Sequence, residues 1–392
     1  MPRGTLSALA LLSLSLPASL QAIPAFARRY RVSCMLCHNP VPALNAFGDQ
    51  FAANGFRLAS REPPRDTIAT GDPLLALAAE LPLAIRLDAY AQAYSKGSAV
   101  TDFAAPYIIK LLASGPLSRS LSYYMYVNLL ERGEFGGFED AILIADDIGG
   151  APVDAALGQF QVSDPLFKRE LRLSFEDYAV YRARVGDEPA NLTYDRGLMV
   201  GADVAGFAVT AMLLNGNGIG AVDEERHFDD NDFKTLAGHV TRDLATGVRL
   251  GAFGYYGESS AGGRVNKVSM IGGDGTLSSG SVEINAQYLH REDTDPLFAG
   301  TDPTVTTDGG LLEVLVRPGN SRWHGFALYN LVSSTAPMLD VGLGGPPDAR
   351  RYQTLTGGAG YLVMRNVKFS GEAMWDFEQE RMRWTFGFVT AF

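Results

Sequence analysis

The chain has 392 residues, with 33 Lys and Arg against 44 Asp and Glu, a formal net charge of −11 at pH 7. That balance excludes nucleic acid as a partner, because phosphate binding needs a basic face. No stretch past the N-terminal leader has ~18 uninterrupted apolar residues, so membrane residence is open only to a barrel or a surface-bound chain.

Length alone predicts two or three domains, although one large β architecture can run this long. The first 22 residues read as a secretory signal: Arg3, an apolar run from Leu6 to Leu16, Pro17 and a small-residue end at Ala22. The run is shorter than the ~20 residues a spanning helix takes. Its removal places the mature N-terminus near Ile23, with Leu20 rather than Ala at the third position before the cut.

Both cysteines of the chain come next, in Cys34-Met35-Leu36-Cys37-His38. This is C-x-x-C-H, the attachment pattern of a c-type haem. Two thiols at that spacing reach the two vinyl groups of one porphyrin, and the adjacent imidazole lies under the iron as proximal ligand. A disulfide or dithiol is the plainer reading for two exported cysteines, but the βαβ surroundings of a redox C-x-x-C are missing. A zinc site wants four ligands, and only His38 is near in sequence. The prediction is one covalently bound c-type haem held by Cys34, Cys37 and His38, in an exported protein.

After Pro40 and Pro42, a short amphipathic helix is expected from Ala43, with Leu44, Phe47 and Phe51 at helical spacing and Asn54-Gly55 as its stop. Its apolar stripe, with Phe26, can cover a haem face or pack on protein. Residues 23–70 end in a polar, proline-containing linker from Arg57 to Asp72. Residues 23 to about 60 are too few to bury a core of their own, so they depend on the haem or on a larger host.

From Leu81 the pattern changes to strict alternation. Leu83, Ile85, Leu87, Ala89, Ala91 and Ala93 share one face, and Arg86, Asp88, Tyr90, Gln92 and Tyr94 share the other. Strands are expected at 82–95, 105–114, 119–131, 153–163, 168–185, 197–204, 207–216, 233–242, 247–257, 264–273, 280–291, 309–317, 322–332, 352–363, 367–377 and 381–392. Their length, about ten residues each, and their even number match a transmembrane β-barrel. Ile142-Leu143-Ile144 falls in a loop on this reading, as a candidate extra strand.

Tight connections at Gly115-Pro116, Ala205-Gly206, Pro318-Gly319-Asn320 and Arg365-Asn366 alternate with long ones at 132–152, 217–232, 292–308 and 333–351. Short periplasmic turns and long outer loops are the habit of outer-membrane barrels, so both mature termini are expected in the periplasm. The last segment alternates Met382, Trp384, Phe386 and Phe388 with Arg383, Thr385 and Gly387 and ends on Phe392, much like the terminal assembly signal of such barrels. The expected fold class is all-β: an antiparallel transmembrane barrel of about 16 strands over 71–392, preceded by a small α-helical monohaem cytochrome c segment over 23–70.

If one face meets lipid, the other lines the lumen. A charge facing lipid at mid-membrane costs ~2–4 kcal/mol, so Glu170, Arg172, Glu176, Arg182 and Arg184, and likewise Lys368, Glu372, Asp376 and Glu378, are expected to point inward. They read first as a wet wall of paired charges. The acidic loop 223–232 suits divalent cations, ferrous iron included, or simply solvation, and lacks the order of a calcium loop. No distal haem ligand lies near the motif, since Met35 is inside it. Either the iron is five-coordinate or weakly ligated, or the barrel supplies the ligand, with His239 and Met374 the candidates on the inward register.

The stretches Ile23-Pro-Ala-Phe-Ala-Arg28, Cys34-x-x-Cys37-His38 and Pro42-Ala-Leu-Asn45-Ala-Phe47-Gly48 resemble the fused monohaem cytochrome–porin family of the bacterial outer membrane, whose best-known members oxidise ferrous iron at the cell surface. The residue-level match ends with the cytochrome segment; beyond it the likeness is one of architecture and length. The resemblance implies a small cytochrome plugging a barrel in outer-membrane lipid. It also implies electrons passing from an extracellular donor, with ferrous iron a candidate, through the haem to a periplasmic carrier such as a soluble cytochrome. On that reading the protein is an electron-transfer protein and an iron oxidase in the loose sense. The alternative is a diffusion porin whose cytochrome segment is a plug or redox sensor.

Overall fold

The computed structural model describes residues 25–58, 67–68, 70–72, 77–78, 82–97, 100–118, 120–229, 231–300, 303–319 and 321–392. The signal-like leader and most of the expected linker lie outside the described residues. Within them, 16 strands close one antiparallel barrel. The first eight are β1 (Leu83–Tyr94), β2 (Thr101–Pro116), β3 (Leu121–Glu131), β4 (Gly137–Ala145), β5 (Val153–Gln161), β6 (Tyr194–Val204), β7 (Phe207–Leu214) and β8 (Thr235–Ala245). The second eight are β9 (Val248–Ala261), β10 (Arg264–Ser279), β11 (Val282–Asp293), β12 (Val305–Val316), β13 (Trp323–Ser334), β14 (Arg351–Met364), β15 (Val367–Asp376) and β16 (Arg381–Ala391). Each pairs with its sequence neighbour, and β16 pairs with β1 to close the ring. At the seam Ile85 and Phe392 exchange backbone hydrogen bonds of 2.7 and 2.8 Å.

Alternation sets the register because a one-residue slip would turn every charge outward. On β15, Lys368, Glu372 and Asp376 are buried in the lumen, while Phe369 is exposed on the outside. On β12, Thr307, Leu311, Glu313 and Leu315 point in, and Leu312 and Val316 point out. Phe103, Ile271, Trp323 and Phe386 stand exposed on the outer surface. Trp323 and Tyr361 pair at the short-turn rim with ring centroids 4.7 Å apart, as an aromatic girdle does.

The total of 16 agrees with expectation through two differences that offset each other. Residues 137–145, with Ile142-Leu143-Ile144, form β4. The expected strand 168–185 is no barrel strand: it belongs to a connection that leaves β5 and folds into the lumen before returning to β6. This connection holds a single 3₁₀ turn, Arg169–Leu171, and a short helix, Ala179–Arg182. Its alternation is real but answers two lumen walls of different chemistry, not lipid and lumen. Glu170, Arg172, Glu176 and Arg182 therefore lie on this internal loop rather than on the barrel wall, as does Arg184, which is exposed and pairs with Asp340 in a two-residue ladder.

The segment before the barrel has helices α1 (Ala25–Tyr30) and α2 (Ala46–Ala53), with a 3₁₀ turn at Cys34–Leu36 between them. Here α2 starts later than its apolar spacing predicts because Asn45 caps it, accepting from Gly48 N at 3.0 Å. Phe26 packs on Phe51 edge-on at 5.1 Å and stacks on Phe56 at 5.3 Å. Phe56 in turn stacks on Tyr124 of β3 at 5.1 Å. An ion pair of Arg57 with Asp146, and a bond from Arg317 Nη1 to Asn39 O of 3.0 Å, fix the segment to the short-turn end. That end also holds the C-terminal Phe392.

Candidate functional site

The C-x-x-C-H stretch is a tight turn held by its own backbone. His38 N donates to Cys34 O (2.9 Å), Asn45 N donates to Cys37 O (2.9 Å), and the Asn45 amide donates to Leu36 O (3.1 Å). Gly48 sits so close that a Cβ there would lie 2.2 Å from Cys37 O, so the helix can approach the motif only with glycine at this place. Cys34 and Cys37 are free thiols, and burial pushes both above their usual range. His38 Nδ1 lies 2.9 Å from Pro42 O, which leaves Nε2 for a metal. A ligating histidine whose second nitrogen bonds a carbonyl is the usual arrangement. Burial also pushes the His38 imidazole below its usual range, despite the Pro42 and Ala43 carbonyls, toward the neutral form that binds a metal.

Cys34, Met35 and His38 of the segment share the lining of one cleft with Arg317, Trp323, His324, Leu362 and Arg365, at the ends of β12 to β15 and their turns. The donors fit a c-type haem in chemistry: two unbridged thiols, an imidazole with its second nitrogen engaged, and guanidinium groups of the kind that receive carboxylates such as haem propionates. The space is tight. The cavity volume is about 10 Å³, room for one water, so a porphyrin enters only if the segment and the strand ends part.

His239 and Met374, the two expected distal candidates, do not line this cleft. Both face the lumen and are buried, but His239 Nε2 is held by Asp274 Oδ2 at 2.8 Å. His324 was not singled out by sequence reasoning. Its parity was the available signal, since it shares the inward face of β13 with the buried Phe326 and Leu328.

Inside the barrel the loop 162–193 leans on one side. Val180 and Tyr181 pack against inward residues of β11 to β13, among them Leu289, Leu311, Leu328 and Val332. Polar bonds hold it there: Tyr178 Oη to Glu313 (2.9 Å), Ala179 N to Asn330 Oδ1 (3.2 Å) and Arg291 Nη1 to Ala190 O (2.8 Å). Its other side carries charge toward β1, β2, β15 and β16. Glu176 accepts from Arg383 (2.6 Å) and Tyr352 (2.7 Å), Glu372 accepts from Phe175 N (2.7 Å), and Glu170 pairs with Lys110. The side chains of Arg86, Glu170 and Arg172 keep 20%, 22% and 21% of their surface accessible, so solvent reaches this side. Leu173 of the loop, Ala43 of the N-terminal segment, Leu315 and Phe326 share one small core, so loop and segment meet within the barrel.

Among the described residues, those of the acidic loop included, no three His, Cys, Asp or Glu side chains are grouped to hold an ion. Asp229 pairs with Lys234, and Arg196 lies 4.0 Å over the Phe228 ring.

No family model matches the chain, and no curated protein matches it. Solved structures do. An anion-selective porin from Comamonas acidovorans is 11% identical with a TM-score of 0.57, covering 80% of this chain and 99% of its own. A loop-deleted OmpT of Vibrio cholerae, an outer membrane protein, is 11% identical with a TM-score of 0.55, covering 80% and 99%. The OmpF of Salmonella typhi, solved with daunomycin, is 10% identical with a TM-score of 0.55, covering 80% and 97%. The barrel has the porin fold. At such identity the likeness concerns the fold alone, and this porin-fold barrel carries in addition the segment with Cys34, Cys37 and His38.

Proposed function

We propose that the protein is an outer-membrane diffusion channel of porin type, narrowed by the loop 162–193 and capped at its periplasmic, short-turn mouth by a segment that carries one covalent c-type haem. The observation that carries this reading is the lopsided lumen. The loop crosses the lumen, packed on the apolar wall and bonded to the charged one, and Arg86, Glu170 and Arg172 keep part of their surface accessible beside it. Charged groups of both signs across a narrowed, wet passage select small polar solutes by size and charge. Outer-membrane lipid is then the surrounding partner, both mature termini face the periplasm, and the cytochrome segment acts as plug or redox sensor. Liposomes reconstituted with the full chain should admit small sugars and salts. Liposomes that stay impermeable while the barrel is folded would overturn the reading.

A second reading is favoured by the motif itself: the free thiols and the His38 Nδ1 contact with Pro42 O suit a bound haem. When bound, a haem supplies a one-electron carrier. The protein would then relay electrons between an extracellular donor, ferrous iron among the candidates, and a periplasmic carrier. Reduction of the c-haem spectrum in intact cells by impermeant ferrous iron supports the relay; a haem that stays oxidised there leaves the channel.

A further inference from the structure

We infer that Arg172 and Arg182, on the internal loop, form an anion-binding point in the passage, which receives the carboxylate or phosphate group of a small solute. The inference rests on the channel reading above and names a solute class for it. Three guanidinium groups converge there on one carboxylate. Arg169 grips Asp177 through two nitrogens, Nε on Oδ1 at 3.1 Å and Nη2 on Oδ2, and both residues are buried. The Asp177 charge is thereby answered. Arg172 Nη1 and Arg182 Nη1 stand 3.7 and 3.6 Å from its two oxygens, beyond hydrogen-bond distance.

The hydrogen bonds of these two arginines go to backbone carbonyls, which cancel no charge. Arg172 donates to Glu176 O (3.2 Å) and Arg169 O (2.6 Å), and Arg182 donates from Nε to Val341 O (3.1 Å). Among the described residues Nη2 of each has no protein acceptor, and the two side chains keep 21% and 23% of their surface accessible. A guanidinium offers five N–H groups in a planar fork that matches carboxylate and phosphate oxygens. The carboxylates in excess stand elsewhere: Glu139 and Glu170 share Lys110, and Glu176 and Glu372 share Arg383. Glu170 also acts on Arg172, but Lys110 holds it. Opposite excesses are thus kept apart, and an oxyanion finds its counter-charge at the arginine edge. Further cations extend that edge. Arg132, at the turn after β3, lies within electrostatic reach of Arg182. Lys368, buried on β15 with no carboxylate within 4 Å among the described residues, lies within reach of Arg172.

The test is the conductance of the full-length chain in a planar bilayer, first in potassium chloride and then with inorganic phosphate or acetate added. Each of the two anions should lower the chloride current in a saturable manner. Arg172→Gln with Arg182→Gln should raise the concentration for half-block roughly tenfold or more, as loss of a charge-assisted hydrogen bond does. The same double variant should move the reversal potential in a salt gradient toward that of potassium. Arg172→Lys keeps the charge and gives up the planar fork, so it should hold the reversal potential and weaken the block by phosphate. It serves where the double variant fails to fold, as judged by heat-modifiable migration. An open channel whose current phosphate and acetate leave unchanged overturns the inference while the channel reading stands, as does a block that the arginine variants retain in full. A bilayer that stays silent with the barrel folded overturns the channel reading and the inference together.

Discussion

Replacing Tyr181 by alanine should free the internal loop while leaving the barrel closed. Tyr181 is fully buried, its ring meets Tyr178 at 5.9 Å, and its hydroxyl bonds Gln287 and accepts from Phe167 N. Truncating a buried aromatic to alanine costs about 3–5 kcal/mol, and each lost hydrogen bond adds roughly 1 kcal/mol. A loss of about 5 kcal/mol shifts the docked-to-released ratio of the loop by ~3–4 decades at 1.4 kcal/mol per decade. The loop's one ladder, Arg184–Val185 with Leu339–Asp340, lies outside the ring of 16 strands, so closure of the barrel is untouched. In liposome-swelling assays with graded sugars, Tyr181→Ala should admit larger solutes than the parent protein, with the loop open to protease from the long-loop side. A loop that becomes cleavable while the size cut-off stays the same would refute its role as the constriction.

Gly48→Ala places a Cβ against Cys37 O and should lower haem incorporation several-fold, read by haem stain against total protein, because overpacking of this kind costs about 1–3 kcal/mol. Asn45→Ala removes the cap of α2 and its grip on Leu36 O, and should destabilise the segment by about 1 kcal/mol, seen as an earlier thermal loss of haem absorbance with the barrel transition unmoved. Cys34→Ser with Cys37→Ser should abolish covalent haem and leave the heat-modifiable migration of the barrel unchanged. Phe56→Ala with Arg57→Ala breaks the Tyr124 stack and the Asp146 pair, and should make residues 25–58 the first region cut by protease.

The barrel was legible because its two solvents impose a period of two on every strand, as in Lys368, Glu372 and Asp376 against Phe369. The same rule misread 168–185. A loop between an apolar and a charged wall alternates as a strand does, and only its length, well beyond the ten or so residues of a span, separated it. The strand 137–145 was hidden by Glu139 and Asp140, which look like loop residues until Glu139 meets Tyr126 and Tyr194. The thiols and His38 were legible from spacing alone. The placing of His324 in the cleft lining was not, because a single inward histidine on one of 16 strands has no local signature and the segment it meets lies some 280 residues away.

The most direct measurement of the channel account is the ion conductance of the unmodified, haem-loaded chain in a planar bilayer. Discrete open-channel steps that enlarge in Tyr181→Ala are expected. A bilayer that stays silent for both proteins, with the haem reduced by impermeant ferrous iron in intact cells, would contradict it in favour of the electron relay.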